Sequence, residues 1–104
     1  MLVSEVFPEL AKELQELLRN KGEAELAEDI SDLTLVDRCR CGDDFCATLY
    51  TQTKPAERYG PSHRSFDLDA DTGMILLDVV EEKIVCIEIL NRSEIRMKLL
   101  EILP

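Results

Sequence analysis

Three thiols fall within eight residues in the segment Cys39-Arg40-Cys41-Gly42-Asp43-Asp44-Phe45-Cys46. Thiolates are soft donors suited to zinc, whose closed structural sites take four ligands in a tetrahedron. A small zinc-binding domain using Cys39, Cys41 and Cys46 is one expectation, with His63 or Cys86 as the fourth donor. The spacing argues against it. Thiol pairs at zinc are commonly separated by two to four residues, and residues i and i+2 of a regular strand stand too far apart to share one ion without a bend. The plainer alternative puts Cys39 and Cys41 on the inner face of a hairpin strand, with Gly42 to Phe45 as the turn and Cys46 opening the next strand; free Cys then acts as a small buried hydrophobe. A redox pair of Cys41 with Cys46 is a third reading, because residues flanking a short loop can face each other at disulfide distance. Asp43 and Asp44 work against thiol activation there, with only Arg40 to favour it.

A second group lies in the connection from Lys54 to Arg64, which gathers three bases, Tyr59 and the single His of the chain. Arg58 and Arg64, with Arg38 or Arg40 from the neighbouring hairpin, could hold a small carboxylate or phosphate bidentately while Tyr59 offers a stacking face. His63 alone fixes no acid–base geometry, and neither a nucleophile elbow nor a Gly-rich phosphate loop is present. No catalytic residue is assigned, no cofactor other than zinc is expected, and an enzyme is the minority reading. Asp67-Leu68-Asp69-Ala70-Asp71-Thr72-Gly73 imitates a calcium loop, but its glycine comes one position late and Asp78 stands where a bidentate Glu belongs. An ordinary turn at Asp71-Thr72-Gly73 between two strands explains it better.

These groups need elements to hold them. Leu10, Leu14, Leu17 and Leu18 form one stripe of a helix that starts near Pro8 and ends at Asn20-Lys21-Gly22. A shorter helix from Glu23 to about Ile30 completes a helical hairpin. Five β-like runs follow: Thr34 to Cys41, Cys46 to Gln52, Arg64 to Asp69, Met74 to Val80 and Lys83 to Leu90. Their short connections predict an antiparallel sheet. The last two are apolar on both alternating faces, so they belong in the centre, with helices on one side and room for a second subunit on the other. A C-terminal helix closes the chain, with Asn91 and Glu94 as a capping box and Ile95, Leu99, Ile102 and Leu103 as its buried stripe. The expected fold is α+β in one domain: 1–33 helical, 34–90 sheet, 91–104 helix.

Twelve Lys and Arg against 22 Asp and Glu give a formal charge of −10, which repels nucleic acid and anionic lipid. Residues 34–64 are the exception, with five bases and four acids. The first residues have no basic region followed by an apolar run, and no stretch approaches a membrane span, so a cytoplasmic protein with reduced thiols is expected.

Residues 65–90 carry Ser65-Phe66-Asp67-Leu68-Asp69, then Gly73, Ile75-Leu76-Leu77-Asp78-Val79 and Ile84-Val85-Cys86-Ile87-Glu88-Ile89-Leu90. This stretch resembles small uncharacterised bacterial β-domains, in which an acidic turn with Gly leads through a hydrophobic strand to an Ile-Glu-Ile-Leu ending. The Tyr-rich opening hairpin of that family has no counterpart in Cys39 to Tyr50. The resemblance implies a fold and no activity. The leading functional expectation is a non-enzymatic module that binds a protein partner or a second copy of itself, such as an acidic antitoxin or immunity-like factor, with the zinc domain and the anion pocket at residues 54–64 as alternatives.

Overall fold

Residues that alternate along a strand must face opposite sides of its sheet, and here that rule decides which groups meet. The structure is a computed structural model and describes residues 1–53 and 60–104. Its elements run α1 (Val3–Val6), α2 (Pro8–Asn20), α3 (Ala24–Asp29), a 3₁₀ turn (Ile30–Asp32), β1 (Asp37–Arg38), β2 (Leu49–Tyr50), β3 (His63–Asp67), β4 (Met74–Val80), β5 (Lys83–Leu90) and α4 (Ser93–Ile102). The five strands form one antiparallel sheet in the order β1-β2-β5-β4-β3. The α+β expectation holds, and the two most apolar strands are interior ones.

On the inner face, Leu49 stands opposite Ile87, and Ile87 opposite Leu77, all fully buried. This row packs with Ile75, Val79 and Ile89 into one cluster with Leu14 and Leu18 of α2, Leu26 of α3, Ile30, and Ile95 and Leu99 of α4. The stripe Leu10, Leu14 and Leu18 makes α2 helical because it can bury one face against the sheet. Pro8 opens α2 where a missing N–H costs nothing, and Gly22 ends it at φ +78°. Two bidentate ion pairs tie helices to strand ends. Arg92 grips both oxygens of Glu13 at 2.9 and 3.0 Å, and Arg64 reaches Glu23 at 2.8 and 3.3 Å.

Three expectations are corrected. The runs Thr34–Cys41 and Cys46–Gln52 shrink to the two-residue strands β1 and β2, with the Cys39 N–H still bonded to the Thr48 carbonyl before the chain bends at Cys41. Asn91 is not an N-cap: it adopts φ +61°, Arg92 takes the cap position, and no side chain caps α4. Helix α1 went unforeseen, being only four residues long and without a visible period.

The Asp71-Thr72-Gly73 turn is observed, and Gly73 is the residue it cannot do without. At φ +67° a Cβ there would lie 2.5 Å from the Leu90 carbonyl oxygen and 3.0 Å from that of Asn91. Both obstacles are backbone, so neither can swing aside. Gly73→Ala is expected to cost roughly 2 kcal/mol or more, read as a lower urea midpoint at unchanged slope.

Candidate metal centre

Register brings the thiols together. Asp37 pairs with Tyr50 and Arg38 with Leu49, and the Cys39 N–H donates to the Thr48 carbonyl at 2.9 Å. Continuing that count sets Cys41 across from Cys46. The chain between them closes through Gly42 at φ +84°, with the Cys46 N–H donating to the Asp43 carbonyl at 3.2 Å. Because regular strand ends at Arg38, Cys39 and Cys41 escape the extended geometry that would hold them apart. The three sulfurs lie within 4.8 Å of one another, and no other set of three or more His, Cys, Asp or Glu among the described residues is that close. A zinc–sulfur bond of about 2.3 Å implies sulfur–sulfur edges of roughly 3.8 Å in a tetrahedron, so the thiols need to close by about 1 Å at most. The residues fit a soft metal ion.

The surroundings favour one thiolate. Burial pushes the Cys46 thiol up, but hydrogen bonds from the Thr48 hydroxyl and N–H, together with the Cys41 and Cys39 thiols, outweigh it and hold its pKa below the ordinary value. Thr48 is suited to this role: its Oγ1 accepts the Ile89 N–H at 3.1 Å, which leaves the hydroxyl proton to point at sulfur. At Cys41 the Asp43 N–H acts to lower the pKa, yet the neighbouring Cys46 and Cys39 push it up to about 11. The surroundings thus favour a thiolate at Cys46 and oppose one at Cys41. Both Cys41 and Cys46 accept an N–H from the residue two places on, which orients the sulfur lone pairs.

The thiols border a cleft of about 250 Å³ that Arg38, Arg40 and Arg96 also line, with Leu99 and Leu100 of α4 as an apolar wall. Arg38 Nε donates to the Leu103 carbonyl at 2.5 Å, and Arg40 donates to the Pro104 carbonyl at 3.1 Å and to Asp37 at 3.0 Å. These bonds fasten the end of α4 to the thiol hairpin.

The fourth donors expected from the sequence are elsewhere. His63 is on β3, four strand positions from β1, or roughly 19 Å at strand spacing. Its Nε2 lies 2.9 Å from Asp78 Oδ1 instead. Cys86 sits on β5, two positions away, where burial and then the Asp78 and Glu88 charges raise its pKa far above the ordinary range. Neither Cys39 nor Cys41 is buried as a core residue would be: Cys39 is half-buried and Cys41 exposed, both at the cleft beside α4. Of the anion-pocket residues, Arg40 joins the thiol cleft, whereas Arg64 points to the helix side and is held by Glu23 and Glu82. Arg58 and Tyr59 lie outside the described residues. Arg38, the other hairpin arginine considered for that pocket, also lines the cleft. Thr48 and Arg96 were not singled out from the sequence. Only strand pairing and the docking of α4 bring them here.

No family model, curated protein or solved structure matches this chain.

The outer face of the sheet holds a second polar group. Asp78 is buried at 6% exposure, between His63 on β3 and Glu88 on β5. The Asp78 hydrogen bond, then burial and the Asp78 charge, raise Glu88 to about 7, with the His63 charge opposing. The unfolded chain ionises Glu88 near 4.5, so between about pH 4.5 and 7 the folded protein binds the extra proton. Its contribution is complete below pH 4.5 and fades as pH rises through 7. Glu88→Gln keeps an amide donor for Asp78 without that titration, so its stability should fall less than wild type's across this window in urea titrations at stepped pH.

Proposed function

We propose that this chain is a small metal-binding domain in which Cys39, Cys41 and Cys46 hold one zinc ion as thiolates. The observation that carries this reading is the mutual approach of the three sulfurs within 4.8 Å, achieved where the chain leaves regular strand. The N–H donors from Asp43 and Thr48 support it, since metal thiolates are tuned by such bonds. A simple disulfide would use two of the sulfurs and give the third no role. The interaction-module reading rests on net charge, a property of the whole surface. Three donors at one bend are a local arrangement, and they rank the metal reading first.

Three protein ligands leave one position of a tetrahedron open, the layout that distinguishes working zinc sites from closed structural ones. Three thiolates already place net negative charge on the complex, which weakens the ion's pull on a bound water. The site is thus better suited to holding or exchanging a soft ligand than to hydrolysis.

Protein purified under reducing conditions without chelator should contain about one zinc per chain by elemental analysis, and Cys39→Ser, Cys41→Ser or Cys46→Ser should each weaken binding by roughly 100-fold or more. Because Cys41 is protonated at neutral pH, loading releases protons, and affinity should climb with pH by about tenfold or more per unit between pH 6 and 8. Thr48→Val, which keeps the three ligands, should weaken binding by about tenfold. Zinc-free wild-type protein that takes up none from a competition buffer would overturn the assignment.

A further inference from the structure

The cleft beside the thiols is polar on one side, apolar on the other and small. At about 250 Å³ it is below the roughly 300–1,000 Å³ of pockets for drug-sized ligands, so any occupant has few non-hydrogen atoms. Its three arginines are not equivalent. Arg38 and Arg40 are committed to the carbonyls of Leu103 and Pro104 and to Asp37. The Arg96 side chain lines the same cleft and makes no hydrogen bond or ion pair with any described residue. A guanidinium in that position is a fork for a planar anion, matched best by a carboxylate. Asp43 also borders the cleft and disfavours a doubly charged group, which points to a monocarboxylate rather than a phosphate. Among the described residues no fourth His, Cys, Asp or Glu joins the three sulfurs, since His63 and Cys86 are held elsewhere on the sheet.

Resting on the three-thiolate reading, we infer that the open metal position takes a small external thiol that also carries a carboxylate, with its sulfur on the ion and its carboxylate on Arg96. The ligand's S–H gives its proton to solvent as the metal–sulfur bond forms, and a water molecule leaves the ion, so no oxidant or reductant is involved. The Leu99 and Leu100 wall receives the short carbon chain between the two groups. Neither end alone accounts for the cleft: a plain thiol leaves Arg96 unanswered, and a plain carboxylate is a poor match for an ion already selected by sulfur.

Cobalt(II) in place of zinc makes this visible, because sulfur-to-cobalt charge-transfer bands count the thiolates. The full chain, loaded with one cobalt under anaerobic conditions, is titrated with mercaptoacetate, 2-mercaptoethanol and acetate. The expected result is a stepwise rise in charge-transfer absorbance with mercaptoacetate, at roughly tenfold lower concentration than with 2-mercaptoethanol, the increment of one charge-assisted contact. Acetate should leave the bands unchanged. In Arg96→Gln, compared at equal cobalt loading, the two thiols should saturate at the same concentration. Equal affinities in the wild-type chain, or a preference that survives Arg96→Gln, would overturn the inference while the metal site stands. Absence of charge-transfer bands in the protein before any thiol is added would instead overturn the three-thiolate reading, and this inference with it.

Discussion

One constraint governs the molecule: in a sheet whose strands alternate, each residue's face is fixed by its register, and a slip of one residue would exchange the two faces entirely. The pairing of β4 with β5 fixes that register along most of both strands. It sends Ile75, Leu77, Ile87 and Ile89 to the helices and leaves Asp78, Cys86 and Glu88 on the far side. Through β2 the same choice reaches the thiol hairpin, because Leu49 must face the core opposite Ile87, and Thr48 must then face out toward the cysteines. The hairpin that carries the three thiols therefore takes its register from aliphatic packing. Burying Leu14 and Leu18 against the sheet sets the strand pairing from which that hairpin extends.

The division of labour follows from this. The inner layer is almost wholly apolar and stabilises the domain, and the charged groups at its border are paired, as Arg92 is with Glu13. The outer face carries groups whose protons are shared: Glu88 with Asp78, and Cys46 with its two thiol neighbours. Groups of this kind cost stability when buried alone, and they persist because each is given partners across a strand boundary. The sheet thus separates a face that holds the fold from a face that holds charge.

Helices α2, α3 and α4 and the last three strands were legible in the sequence because they carry apolar periods that α1 lacks. Leu10, Leu14 and Leu18 repeat on one helical face, and Met74 to Val80 and Ile84 to Leu90 are apolar but for Asp78 and Glu88, on either side of a turn at Glu81-Glu82. The thiol cluster was half legible. Its members were evident, but the rule that residues two apart in a strand stand apart counted against them, and that rule applies only while the strand continues. Nothing in Arg38 or Cys39 announces that it stops there. Asn91 misled for a related reason: Asn serves both as a helix cap and as a left-handed residue, and the close approach of Gly73 to the Leu90 and Asn91 carbonyls goes with the second. Thr48 and Arg96 had no local signal at all, since what matters about each is the residue it meets.

The bonds from Arg38 and Arg40 to the last two carbonyls have a further meaning. Leu99 anchors α4 in the core, Ile102 and Leu103 pack only partly against it, and arginine bonds to Leu103 and Pro104 fasten the chain beyond the helix to the hairpin. Exposed charge-assisted bonds weaken in salt and open by local fraying long before a buried cluster does. The arginine-fastened rim of the cleft is therefore less protected than Leu99 and the sheet beneath it. In amide hydrogen exchange the two would separate as different cooperative units, a soft rim over a hard floor, so that the cleft can breathe without the domain unfolding.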